Sequence, residues 1–125
     1  MFSRDFIIRQ IQQLTQALAV VLFHKKAARP DEAQVALDEA LAVATDLDPE
    51  ALRRLTRPDL LAVCSAGGTL LPDHAVALAD LLYEDAAAAG RERALWLYDA
   101  ALDAGGAVPL DIHDRLAALR ASLAE

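Results

Sequence analysis

Ala89-Gly90-Arg91-Glu92-Arg93-Ala94-Leu95-Trp96-Leu97-Tyr98-Asp99-Ala100-Ala101-Leu102 is the stretch on which the reading of this chain turns. Ala94 and Ala101 stand seven residues apart, with the ring of Tyr98 four residues after Ala94. On a helix of 3.6 residues per turn these positions share one face. Small side chains flanking a ring let the backbone of a second helix come close there. Gly90 interrupts the pattern and reads as a turn. The segment before it, Pro72–Ala89, repeats Leu78, Leu81, Leu82 and Ala86 at helical spacing. The region therefore predicts two helices, Pro72–Ala89 and Arg91–Ala104, folded back on one another, with Gly105-Gly106 closing the second.

Composition extends this to the whole chain. Alanine and leucine supply 50 of the 125 residues, whereas valine, isoleucine and threonine supply 15. Alanine and leucine favour helices and β-branched residues favour strands, so an all-α fold is expected. A chain of this length predicts one domain. The single Cys64 rules out an internal disulfide framework and suits a reducing compartment, which makes the cytoplasm the expected location. The longest unbroken apolar run, Ala17–Phe23, is far short of the roughly 20 residues of a membrane span, so no membrane association is expected.

Charge is uneven. Residues 1–30 carry five basic groups against Asp5, a balance of +4, while residues 31–125 carry seven basic and eighteen acidic groups, a balance of −11. An acidic body argues against a phosphate backbone as the main partner, so no nucleic acid is expected.

Along the chain, a first helix is predicted over Ser3–Lys26, with Ser3 as N-cap, Asp5 in the first turn, and Lys25 and Lys26 in the last. Ile7, Ile11, Leu14, Leu18 and Val21 form a heptad seam at 4-3-4-3 spacing. Arg9, Gln10, Gln12, Gln13 and Gln16 lie opposite. Phe6, Ile8, Val20, Leu22 and Phe23 widen the apolar surface beyond one stripe. A second helix opens at Pro30 and stops before Asp48-Pro49. Two short helices follow, Pro49–Leu55 and one starting at Thr56-Arg57-Pro58 that Gly67-Gly68 ends. The last helix begins near Pro109 or Asp111 and turns Ile112, Leu116, Leu119 and Leu123 inward. The expected organisation is a first hairpin over 1–48, short bridging helices over 49–70, and a second hairpin plus C-terminal helix over 71–125, giving five to seven helices.

Two segments resemble helix pairs of the tetratricopeptide-repeat family. One carries Asp31-Glu32-Ala33, Leu37, Ala40-Leu41 and then Leu47-Asp48-Pro49; the other carries Ala94, Tyr98, Ala101-Leu102 and then Pro109. In both the closing proline comes later than in the family pattern. The stretch Phe2-Ser3-Arg4-Asp5-Phe6-Ile7-Ile8-Arg9-Gln10-Ile11 also resembles the start of a family of small uncharacterised bacterial proteins. The first resemblance implies antiparallel helical hairpins that hold partners; the second implies a fold and no reaction.

The residues that could carry chemistry do not assemble into a site in the sequence. His74 and His113 fall in the first turns of predicted helices, with Asp73, Asp111 and Asp114 nearby as dipole partners, and His24 ends the first helix. A metal would need three or four converging ligands. Cys64 lies among Leu61, Val63 and Ala66, where an inert thiol is expected. Gly67-Gly68-Thr69 lacks the strand and the Gly-Lys-Ser/Thr ending of a phosphate loop. Asp80, Glu84 and Asp85 are expected to form a solvated face paired with Arg91 or Arg93.

The expected function is a non-catalytic protein-interaction or scaffold module that uses no cofactor and no metal. Homodimerisation through the N-terminal helix (Phe2, Phe6, Ile7, Ile11, Leu14, Leu18) is one reading of the seam; the core of a monomer is the other. An alternative is a peptide or small-ligand sensor with a groove near Tyr83, Arg93 and Trp96. A metal-dependent hydrolase ranks last.

Overall fold

The computed structural model describes residues 4–124. Among them the chain is all-α apart from one small ribbon. The elements are α1 (Arg4–Lys26), α2 (Pro30–Thr45), α3 (Pro49–Leu52), α4 (Arg57–Val63), β1 (Ser65–Ala66), β2 (Thr69–Leu70), α5 (Pro72–Tyr83), α6 (Ala88–Asp103) and α7 (Ile112–Leu123). Ser3 and Phe2, expected to begin the first helix, lie outside the described residues.

The element boundaries have local causes. Proline opens α2, α3 and α5, where its missing N–H is no loss. The Asp48 carboxylate caps α3 by accepting from the Glu50 N–H at 3.0 Å, and Thr56 caps α4. Asp46 ends α2 in the left-handed region at φ 57°, a conformation aspartate tolerates better than most residues.

Two helical hairpins, α1/α2 and α5/α6, pack together through α1 on α5. One core runs through both. Leu14 and Val21 come from α1, Leu37 and Leu41 from α2, Leu78 and Leu82 from α5, and Leu97 and Tyr98 from α6. Burying a leucine of this kind contributes roughly 2 kcal/mol. α4 rests on α6, and α7 covers another side of α6 with Ile112, Leu116 and Leu119. Ala94 and Ala101 are fully buried, as the small-residue spacing around Tyr98 requires for a close α5/α6 approach.

Several boundaries differ from the sequence expectation: α3 stops at Leu52 rather than Leu55, and α6 begins at Ala88 rather than Arg91. α5 ends at Tyr83 rather than Ala89, and the turn spans residues 84–87. Gly90 is not the turn: it lies in the first turn of α6, where it leaves space for a neighbouring side chain. Gly67-Gly68 does not end a helix. Both residues have positive φ, 58° and 81°, and form the two-residue loop of a hairpin that pairs Ser65 with Leu70 and Ala66 with Thr69. α4 has already stopped at Val63.

The heptad seam faces inward. Leu14 is buried and Leu18 packs against the core; Ile7 and Ile11 are half-buried. Of these residues, expected at a dimer interface, Leu14 and Leu18 are held in or against the core, while Ile7 and Ile11 line a recess beside Leu71 and His74. The other sides of α1 remain in solvent, so that 11% of its most apolar 18-residue window is buried. By length and composition alone Asp5–Lys26 would suffice to cross a membrane, because dispersed apolar residues raise its mean hydropathy to 1.3 without one long apolar run.

Candidate functional site

The chemistry-bearing residues are spread over separate elements. His24 ends α1, with Nδ1 3.4 Å from Glu32 Oε2; His74 opens α5; His113 is exposed at the start of α7. Among the described residues no three His, Cys, Asp or Glu side chains group closely enough to hold a metal ion. Burial pushes the Cys64 thiol up to about 12, so its thiolate is scarce at neutral pH.

His74 is 5% exposed, and burial holds its pKa below the ordinary histidine value. The unfolded chain takes up a proton near pH 6.5 while the folded chain resists it. The stability that His74 contributes is therefore present above that pH and lost as pH falls below it. The urea midpoint of the wild type should drop from about pH 7.5 to about pH 5.5 by more than that of a His74→Gln variant; equal drops would show that His74 does not set this dependence.

The acidic residues of α5 and the following turn do not form a solvated face. Asp85 is buried and receives a two-pronged contact from the Arg53 guanidinium, Nε to Oδ2 at 2.8 Å and Nη2 to Oδ1 at 3.2 Å. Gln34 Nε2 and the Ala87 N–H also donate to Asp85 Oδ1, each at 3.0 Å. Arg53 reaches Asp38 at 2.5 Å and Glu50 at 3.0 Å. Burial works against the Arg53 charge, but the bonds and attraction of Asp85 and Asp38 outweigh it and hold its pKa above the usual arginine value.

The same turn is tied elsewhere. Lys25 donates to the Glu84 carbonyl at 2.7 Å, the Ala86 N–H donates to Gln34 Oε1 at 3.2 Å, and Arg91 donates to the carbonyls of Asp85 and Ala86. Residues 84–87 thus fasten both hairpins together. Asp80 has a different partner set, taking bonds from the Tyr98 hydroxyl and, at 3.0 Å, from Arg115.

Arg93 and Trp96 are neighbours: the guanidinium lies 4.7 Å from the ring centroid. Arg93 is buried; its Nη1 and Nη2 donate to the carbonyls of Ala89 and Leu55 at 3.0 and 2.8 Å, and its Nε is buried with no hydrogen-bond partner among the described residues. Tyr83 is elsewhere. Its ring meets Tyr98 edge-on, lies under Arg115, and lines a recess of about 230 Å³ with Arg91, Leu119 and Ser122. The structure does not bring Tyr83 and Trp96 to one groove.

Several exposed apolar side chains lie on the α1/α2 hairpin. Val20 is 48%, Phe23 63%, Val35 57% and Val43 71% exposed. Between the two helices runs a groove of about 390 Å³, lined by Gln13, Gln16, Ala17, Val20, Ala36, Glu39, Ala40 and Val43. It continues into a second recess bounded by His24, Glu32 and Val35. Sequence reading registered the extra apolar residues of α1 but not the groove, because Val35 and Val43 join Val20 only once α2 folds back.

Comparison with protein-family models, with curated proteins and with solved structures finds no match to this chain.

Proposed function

We propose that this chain is a helical-hairpin interaction module of tetratricopeptide-like build, working in the cytoplasm without catalysis, that holds a protein partner on the outer face of α1/α2. The observation that carries the reading is the groove between α1 and α2, lined by exposed Val20 and Val43, with exposed Val35 on the adjoining recess. Exposed apolar side chains grouped along a groove, with Gln13, Gln16 and Glu39 among them, are a usual mark of a binding surface. The two antiparallel hairpins support the tetratricopeptide-like description, and the acidic body supports a protein over a nucleic acid. The sensor reading has less support, since Arg93 Nη1 and Nη2 already donate to backbone carbonyls and Tyr83 packs on Tyr98 rather than beside Trp96.

The test is a comparison of variants in a binding assay. Val43→Glu should keep the helical circular dichroism of the wild type and lose the partner that the wild type captures. Leu110→Glu, on the exposed loop before α7, should retain it. Equal capture by both variants would remove the α1/α2 face as the binding surface.

A further inference from the structure

Two recesses meet at Ile7, Leu71 and His74, one of about 470 Å³ and one of about 640 Å³. The smaller is bordered by α1, the end of α2, the α4–β1 segment and the start of α5. Both volumes fall in the range of roughly 300–1,000 Å³ typical of small-molecule sites. His74 stands between them. Its side chain is 5% exposed and lines both, yet neither ring nitrogen is hydrogen-bonded among the described residues. A buried polar group without a partner is costly and calls for an explanation. An imidazole on the wall of a recess is open to whatever enters it.

The rest of the polar wall is biased toward acceptors. The Ser65 hydroxyl donates to the Leu61 carbonyl and the Thr45 hydroxyl to the Leu41 carbonyl, each at 2.6 Å. Both oxygens keep lone pairs but have no proton left to give. Gln10 donates its amide nitrogen to the Ala44 carbonyl at 3.4 Å, which leaves its oxygen. Asp46 on the smaller recess and Asp73 on the larger add negative charge, and no lysine or arginine among the described residues lines either. His74, kept neutral by burial, supplies one more acceptor nitrogen without a repelling charge.

We propose that this recess binds a small amphipathic amine, with its ammonium among Asp46, Ser65 and His74 and its apolar body against Ile7, Val63 and Leu71. An ammonium carries three donors and no acceptor, the complement of this wall. An anion would meet Asp46 and find no cation to balance it. The site does not depend on the partner-binding role of the α1/α2 groove.

The test is a side-chain NMR titration of the full chain at pH 7.5 with three probes of one chain length: hexylamine, 1-hexanol and hexanoate. Hexylamine should saturably shift the methyl signals of Val63 and Leu71 and the ring signals of His74. It should bind at least about 10-fold more tightly than hexanoate, with hexanol between them. Asp46→Asn keeps the left-handed turn, which asparagine also adopts, and should weaken hexylamine about 3-fold, the scale of an exposed ion pair, while leaving hexanol unchanged. His74→Leu should fold, since the ring holds no hydrogen bond, and should weaken hexylamine about 10-fold. Equal affinity for the three probes would overturn the amine. Shifts spread over the exposed acidic residues, and unaltered in both variants, would overturn the site. If His74→Leu fails to fold, Asp46→Asn decides alone: an unchanged affinity for hexylamine there would overturn the proposal.

Discussion

Gly90→Ala is expected to destabilise the fold by about 3 kcal/mol, which for a chain of this size lowers the melting temperature by roughly 10 °C. The same substitution in an unconstrained helix stabilises it by about 1 kcal/mol, so the sign is diagnostic. A methyl group at position 90 would stand 1.8 Å from Asp85 Oδ2, 2.5 Å from its Cγ and 2.9 Å from its Cβ. The whole carboxylate arm is in the way, not a flexible tip. Asp85 could leave only by giving up Arg53, Gln34 and the Ala87 N–H. Arg53 would then stay buried without its best partner, and a broken buried pair costs about 3–5 kcal/mol. In an Asp85→Ala background the two shortest contacts vanish and the Cβ contact remains, so the further cost of Gly90→Ala should fall below about 1 kcal/mol. A stabilising Gly90→Ala in the wild type would show that Asp85 does not occupy this position.

Gly90 also shows which features were legible in the sequence. Helical content was, because alanine and leucine dominate and proline marks several helix starts. The close α5/α6 approach was, because Ala94, Tyr98 and Ala101 recur at a spacing only a helix places on one face. The reason for Gly90 was not. Glycine reads locally as a turn, and here it is needed by a side chain five residues earlier. Gly67-Gly68 failed in the opposite way: a helix stop and a two-residue hairpin loop both use positive φ, and the short segments 65–66 and 69–70 carry too few residues to show a strand period. The Asp85 cluster was hidden because its members come from three separate parts of the chain, residues 34–38, 50–53 and 85–87. One signal was present: Arg53 directly follows Leu52 in a four-residue helix too short to offer a solvated face of its own. Excess apolar residues on α1 were visible, but its heptad seam drew the interface assignment to Phe2, Phe6, Ile7, Ile11, Leu14 and Leu18; of these Leu14 belongs to the core and Leu18 packs against it, while Ile7 and Ile11 are half-buried.

Arg53→Met and Asp85→Leu, each alone, should destabilise the protein by about 3–5 kcal/mol, while the double variant should cost less than either. Removing the guanidinium leaves Asp85 buried with Gln34 and the Ala87 N–H as donors, insufficient for a full charge. Removing the carboxylate leaves Arg53 facing Asp38 and Glu50, which are 40% and 70% exposed at their side chains and so answer a buried charge weakly. Removing both takes the desolvation penalty away with the attraction. Chemical denaturation of the four proteins of the cycle gives the coupling; additive losses would mean that the pair does not act as a unit. The site of the loosening should be readable as well. Gln34 and Asp38 belong to α2, Arg53 follows α3, and Asp85 lies between α5 and α6, so the cluster clamps the first hairpin to the second. Hydrogen exchange in Arg53→Met should accelerate in α2 before the α5/α6 pair, whose contact depends on Ala94, Tyr98 and Ala101 rather than on this charge. A binding face built on α1 and α2 would then lose rigidity without losing a single residue that touches its partner, and affinity should fall in Arg53→Met even under conditions where the protein remains folded.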